Sequence, residues 1–489
     1  MKRVTVIYDD RMMPGRDIRA ITGDKSFGET ILKRVPLKDR IKESSLACKN
    51  TRDFIIISHG EGNEKLNQLL INDIYRENTA FLYMYSNFAI RNETEFSYLI
   101  QKAVYADRVY AAYCSDRPAA LLIPDKATLM QLSDDLASGQ ASGEKIDQAA
   151  FSDLSLQPEF LSYITGGFDA RFFNALEGDD YSVTKRSSKK EKIKAEYEFY
   201  SLLPDDMKQW FVMPYGYSED KKGASYTMER IHTTDIAIRY VHGAVSADEL
   251  SDILDRLFYF LDKRAVKNAG KDAASGVAEK AYIEKVRTRI DELRKDKRFA
   301  DFDQMIKAGT GYDGIDSVIE HYEKLYRELR KTAYGKKGHR YNGSELAISH
   351  GDLCFSNILY SREAGLLKLI DPKGASDKED LYMDPYYDIA KLSHSVCGGY
   401  DFFNSGLYQV SLTRDMKWNL TIDADLSAYE DVFKGFLEKN GYDHSYVRIC
   451  EAGLFLSMLP LHMDQPGKVF GFLLNAIGIM ERLEADKKQ

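Results

Sequence analysis

The chain has 489 residues, so at roughly 150 residues per domain it should hold about three structural units. Hydrophobic residues make up 44% and aromatics 12%, with 33 Gly and 11 Pro, which excludes collagen-like, disordered and disulfide-scaffold classes. The net charge of −8 argues against a polyanion-binding surface, so no nucleic-acid partner is expected. Cys48, Cys114, Cys354, Cys397 and Cys450 are odd in number and scattered without a CxxC pair, which suits a reducing cytoplasm better than a disulfide framework or a zinc site. The opening MKRVTVIYDD turns acidic too soon for a signal peptide and reads as a first strand. The longest apolar stretches, near Leu454–Leu461 and Val469–Met480, fall short of the ~20 residues that cross a bilayer, so a soluble protein without a membrane span is expected.

From residue 1 to 135, the β-type runs Val4–Tyr8, Phe54–Ser58, Ala80–Tyr85, Val109–Tyr113 and Leu121–Pro124 alternate with helix-type segments, which predicts an α/β domain. Phe96, Leu99, Ile100 and Val104 fall at helical spacing within Asn92–Ala106. Residues 136–155, poor in large apolar side chains and rich in Ser, Gly and Asp, read as a linker. The pattern then changes. Phe172–Ala175, a turn at Glu177–Asp180 and Tyr181–Lys185 read as a hairpin, followed by a helix from Lys189 that Pro204 stops. The strand candidates Phe211–Tyr217 and Ser225–Arg230 complete a small sheet over 156–233, and 234–489 reads as α-rich apart from one hairpin near 357–371. The charge run within 263–300 reads as a solvated helix face, with a partner-binding surface as the alternative.

The chemistry concentrates in Ile348–Pro372. Ile358–Ser361 and Leu366–Ile370 flank the turn Arg362–Gly365; if Ser361 pairs with Leu366, Asn357 falls opposite Ile370 and beside Asp371. The turn His350–Gly351–Asp352 brings a third oxygen donor near, and Asp, Asn and Asp at one hairpin end suit a magnesium ion and a nearby hydroxyl.

With Asn357 five residues after Asp352, then Ile370-Asp371-Pro372 and Asp384-Pro385 leading to Asp388-Ile389-Ala390, the chain resembles the aminoglycoside phosphotransferase and choline kinase superfamily, relatives of protein kinases. The resemblance implies an α+β bilobal kinase-like fold after the α/β domain, with 156–233 as the nucleotide lobe and 234–489 as the helical lobe. It implies that Asp352 orients and deprotonates the acceptor hydroxyl, that Asn357 and Asp371 hold Mg2+, and that His350 and Asp388 support the catalytic loop. Lys185 would hold the nucleotide phosphates and pair with Glu196. Glu198 is the alternative partner, about 200° around the helix, so only one of the two can face the lysine. Met228, Glu229 and Arg230 would meet the base of ATP or GTP, and Gly166 and Gly167 lie where a loop should cover the phosphates, although they form no GxGxxG pattern. His394 reads as an ordinary helix histidine, with substrate contact as the alternative. The stretch after Tyr386 also resembles a subgroup associated with capsule and other surface polysaccharides, which implies a sugar or aminoalcohol acceptor.

Residues 1–135 resemble nucleotidyltransferases in outline. They lack the expected Gly-rich loop, having Tyr8-Asp9-Asp10-Arg11 there, and carry Ser86-Asn87 where a metal aspartate would end a central strand, so the domain reads as degenerate. His59 reads as a solvent or structural histidine. The competing expectations are a catalytically idle nucleotide-binding scaffold and a bifunctional kinase and nucleotidyltransferase.

Overall fold

The computed structural model describes residues 2–61, 64–71, 78–146, 150–165, 175–178 and 181–488, and the chain divides into two compact units. Gly166, Gly167, residues 172–174 of the expected hairpin and its turn residues 179–180 lie outside the described residues.

The first unit comprises 1–170 and 238–244. Its six-stranded sheet runs, in spatial order, Thr51–Ser58, Arg3–Asp10, Thr79–Tyr85, Arg117–Ile123, Tyr110–Cys114 and Glu144–Ile146. Arg3–Asp10 is an interior strand, with parallel partners on both edges, and its seven positions after Arg3 are buried, as a strand covered on both faces requires. Arg117–Ile123 and Tyr110–Cys114 join as antiparallel neighbours. The helix Glu93–Ala103 buries Phe96, Leu99 and Ile100 on one face and is capped by the Asn92 side chain accepting from Glu95 N–H.

Residues 136–155 do not form a connector. Glu144–Ile146 pairs with Tyr110–Ala112, and Phe151–Asp153 pairs with Phe88–Ile90. Leu136, Ala141, Ala150, Phe151 and Leu154 are buried in the first core, together with Phe160, Tyr163 and Ile164 of the helix Gln157–Ile164. The first unit therefore extends past both 135 and 156. Strands of three residues draw their stability from partners distant in sequence, which a local composition window does not register.

The second unit comprises 171–237 and 245–489. It begins with a four-stranded antiparallel sheet in the order Ala175–Gly178, Ser182–Ser187, Ala224–Glu229, Pro214–Glu219. The first strand continues to Gly178, through residues expected in the turn. The helix Lys190–Leu202 buries Ile193, Glu196 and Phe199 and ends before Pro204. The remainder is dominated by helices. It carries more β-structure than expected: Val266–Asn268, Glu345–Ile348 and Tyr382–Met383 form a three-stranded sheet, and Tyr408–Leu412 pairs with Trp418–Ile422. The hairpin Ile358–Ser361/Leu366–Leu369 has the anticipated register, Ser361 opposite Leu366. The apolar stretches near 454–461 and 469–480 lie in the helix His444–Met458 with the 3-10 turn Leu459–His462 that follows it, and in the helix Pro466–Asp486, and among the described residues no helix is long and apolar enough to cross a membrane.

Candidate active site

All the sequence-selected residues from Lys185 to Asp388 lie in the second unit. Strand Glu345–Ile348 feeds the loop from Ser349 to Asp352, in which Gly351 adopts φ 78°, a conformation open to glycine at no steric cost. A Cβ at Gly351 would also sit 2.5 Å from that of Lys373. Asp388, at the start of the helix Tyr387–Val396, pins this loop by its backbone. Its Oδ2 accepts the His350 N–H at 2.9 Å and its Oδ1 the Gly351 N–H at 2.9 Å. Arg264 closes the arrangement with an ion pair to Asp388 at 3.2 Å, both side chains fully buried. Two turns further along the same helix, Ser395 Oγ accepts the Phe355 N–H at 3.0 Å.

His350 takes the neutral form. Its Nε2 lies 2.9 Å from the Ile370 carbonyl and its Nδ1 accepts the Asp352 N–H at 3.2 Å, which assigns the proton to Nε2. Burial holds its pKa below the ordinary histidine value, and its ring stacks on Phe211 with centroids 5.8 Å apart.

Asn357 follows within a short 3-10 turn, and its Nδ2 donates to the Asp352 carbonyl at 2.8 Å and to Asp352 Oδ2 at 3.2 Å. Across the hairpin the Ile370 N–H donates to the Asn357 carbonyl at 3.0 Å, which sets Asn357 beside Asp371. Asp371 has φ 54°, in the left-handed region that a non-glycine residue occupies at a cost, and such strain concentrates at functional positions. Its carboxylate reaches Lys185 Nζ at 3.0 Å.

Lys185 is bracketed by two carboxylates, with Glu196 on the other side at 2.7 Å. Burial works against its charge, but Asp371 and Glu196 more than offset it and keep the ammonium above its ordinary range. Glu196 also accepts from the Tyr226 hydroxyl at 3.3 Å, whereas Glu198 faces outward, 3.8 Å from Lys194. The segment after Asp371 is held to the Lys190–Leu202 helix by the Ala375 N–H donating to the Ala195 carbonyl at 3.0 Å, and Gly374 permits the approach: a Cβ there would meet Ala195 C at 2.9 Å. Met228 pairs in register with Val183 and Pro214 and, with Tyr226, Phe211 and Leu369, lines a small cleft that ends at Asp371. Glu229 pairs with Ser182, and the Arg230 N–H is committed to the Tyr181 carbonyl at 2.9 Å, so that amide is engaged within the sheet rather than held open to a base.

Sequence reasoning missed Lys391. Its ammonium lies 2.8 Å from Asp352 Oδ1 with only 14% of its side chain exposed. Burial pushes the Asp352 carboxyl up, but the charge and hydrogen bond of Lys391 outweigh it and hold the group down to about 2. The signal was available as the spacing Asp388, Lys391, Ser395 on a single helix face. Lys285 was missed too. Within the charge run read as a solvated face, it donates to the Tyr387 hydroxyl at 3.1 Å. His394 is fully buried and stacks on Tyr400 at 4.2 Å, out of reach of a substrate.

In the first unit the strand-end carboxylates are committed internally. Asp9 pairs with Arg11 at 2.8 Å and accepts from the Tyr83 hydroxyl at 2.6 Å, while Asp10 accepts from Ser26 Oγ at 2.7 Å and the Gly28 N–H at 2.8 Å. Asn87 Nδ2 donates to Asp153 Oδ1 at 3.3 Å, and the exposed His59 lies 3.0 Å from the Arg11 carbonyl.

No protein-family model and no curated protein matches the chain. Among solved structures, a thermostable mutant of aminoglycoside phosphotransferase APH(4)-Ia in ternary complex with ADP and hygromycin B is 10% identical, covering 66% of this chain and 96% of its own, with a TM-score of 0.36. Aminoglycoside phosphotransferase APH(3'')-Id from Streptomyces rimosus is 14% identical, covering 62% and 97%, with a TM-score of 0.32. An ethanolamine kinase from Plasmodium vivax is 13% identical, covering 63% and 80%, with a TM-score of 0.33. Likeness of this degree says nothing of activity, and the chemistry has to be read from the chain's own side chains.

Proposed function

We propose that the second unit is a magnesium-dependent phosphotransferase that moves the γ-phosphate of ATP or GTP to a hydroxyl of a small molecule. The observation that carries this reading is the buried Lys185, held at 2.7 Å from Glu196 and 3.0 Å from Asp371, with Asn357 beside Asp371 and joined to Asp352. Phosphoryl transfer asks a protein mainly for positioning and charge: a cation at the phosphates, oxygen donors for a metal, and an acceptor for the hydroxyl proton.

The donor set suits magnesium. Asn357 spends its Nδ2 on Asp352, and among the described residues its Oδ1 takes no hydrogen bond, while the Asp371 side chain is 40% exposed. Among the described residues no three His, Cys, Asp or Glu side chains form a preassembled cage, and magnesium needs none, since it borrows ligands from water and phosphates. When bound, magnesium supplies charge neutralisation at the phosphate oxygens. Lys185 would exchange its contact with Asp371 for the α- and β-phosphates and keep Glu196 as its anchor. Asp352 would accept the hydrogen bond of the acceptor hydroxyl. With a pKa of about 2 it is too weak a base to remove that proton in the ground state. It orients the oxygen, and takes the proton as the bond to phosphorus forms and the bond to the departing ADP or GDP breaks, the leaving oxygen keeping the electron pair.

The test is ADP release from MgATP with purified protein and a panel of small hydroxyl compounds. Asp352→Ala is expected to lower turnover by at least ~100-fold, the scale of a lost general base, with nucleotide affinity nearly intact. Undiminished transfer in that variant would remove Asp352 from the mechanism.

A further inference from the structure

The surroundings of Asp352 are basic. Lys391 pairs with Asp352 at 2.8 Å, and it lies one helical turn after Tyr387, whose hydroxyl receives Lys285 Nζ at 3.1 Å. Lys285 follows a single π-helical turn, Lys280–Glu284, an irregularity that recurs at functional sites. Lys373 is exposed, and its side chain runs along Gly351, the residue next to Asp352, so closely that a Cβ on the glycine would meet Lys373 Cβ at 2.5 Å and Cδ at 3.1 Å. Among the described residues the contact of Lys391 with Asp352 is the one ion pair that any of these three lysines makes. Nearby carboxylates are otherwise engaged: Asp388 with Arg264 and the loop amides, Asp371 with Lys185, and Asp384 with Tyr334 and the Tyr386 N–H. His350 and His394 are held neutral by burial. Three lysines thus lie around Tyr387, and one of them, Lys391, reaches Asp352. An amine-bearing acceptor would meet like charge here.

We propose that the acceptor is a small hydroxyl compound carrying an anionic group, phosphate or carboxylate, which Lys285 and Lys373 hold while Lys391 remains on Asp352. This rests on the phosphotransferase reading and replaces the aminoalcohol expectation with an anionic substrate class. The combined field of the three lysines is also visible at Tyr387: burial would raise its phenol, yet Lys285, Lys391 and Lys373 bring it below the ordinary tyrosine value.

The experiment is a calorimetric titration of the full chain, saturated with magnesium and AMP-PNP, with inorganic phosphate. Saturable binding is expected, weakened about tenfold or more in a Lys285→Met/Lys373→Met variant, the scale of lost charge-assisted contacts. Neither lysine is buried, so the variant should melt with the wild type. In a parallel assay of ADP release, glucose 6-phosphate or glucuronate is expected to give a higher kcat/KM than glucose, and glucosamine or ethanolamine a lower one. Absence of saturable phosphate binding, equal binding in the double variant, or a preference for the amines would overturn the inference and leave the phosphotransferase reading standing. Failure to bind magnesium and AMP-PNP at all would overturn that reading and this inference with it.

Discussion

Burial alone would raise the Asp352 carboxyl, whereas the Lys391 ammonium at 2.8 Å holds it down to about 2. A carboxylate with a depressed pKa stays charged as pH falls until that low value is reached, so wild-type turnover should show no acid limb from Asp352 above pH ~4. In Lys391→Met the opposing charge and hydrogen bond are gone, which moves the limb upward, while Lys391→Arg should keep it low. The pH profile of kcat/KM for ADP release checks this, and identical profiles for the wild type and Lys391→Met would refute it. Lys391 also shows where reading a sequence stops. Lys185 could be named because the resemblance supplies a lysine at that strand end, and helix rotation leaves only one of Glu196 and Glu198 to face it. A lysine on an amphipathic helix, by contrast, ordinarily lies in water, and only the docking of Tyr387–Val396 against the Asp352 loop turns Lys391 inward.

That helix acts as a brace whose contacts repeat along one face: Asp388 to the His350 and Gly351 amides, Lys391 to Asp352, Ser395 to the Phe355 amide. Its first contact depends on a fully buried charge pair, Arg264 with Asp388 at 3.2 Å. Removing one member of such a pair leaves an uncompensated buried charge, at a cost of ~3–5 kcal/mol. Arg264→Met should therefore destabilise the second unit by about that amount, and a further Asp388→Asn should recover part of the loss, because the stranded charge disappears. Urea unfolding of the two single variants and the double variant checks this, and strictly additive losses would argue against the pair. The hairpin Ile358–Ser361/Leu366–Leu369 was legible down to its register because a short turn and alternating apolar residues leave one pairing that buries the right face. The strands Glu144–Ile146 and Phe151–Asp153 were not, since each is short, partly polar and paired with residues far away in the chain.

At the scale of the whole molecule the second unit carries buried acids that its stability must accommodate. Asp401 is 2% exposed and its carboxyl is pushed up to about 7, by burial first, with a hydrogen bond from Ser395 pulling the other way and the Asp235 charge adding a little. Among the described residues its Oδ2 finds no hydrogen-bond partner. In the unfolded chain the same group titrates near ~4. Between the two values the folded state holds a proton that the unfolded state has released, so this residue's contribution to stability falls as pH rises from ~4 to 7 and is constant above. The full difference of about three pKa units corresponds to roughly 4 kcal/mol. Asp401→Asn removes the titration and keeps the shape, so its unfolding free energy relative to wild type should rise across that window and then level off. Tryptophan fluorescence is suited to the measurement: the chain has 2 Trp, Trp210 and Trp418, and both belong to the second unit, so the signal follows that unit whatever the first unit does. A constant offset between the variant and the wild type from pH 4 to 7 would show that Asp401 does not titrate there, and would leave its burial among Ser395 and its neighbours without the energetic consequence argued here.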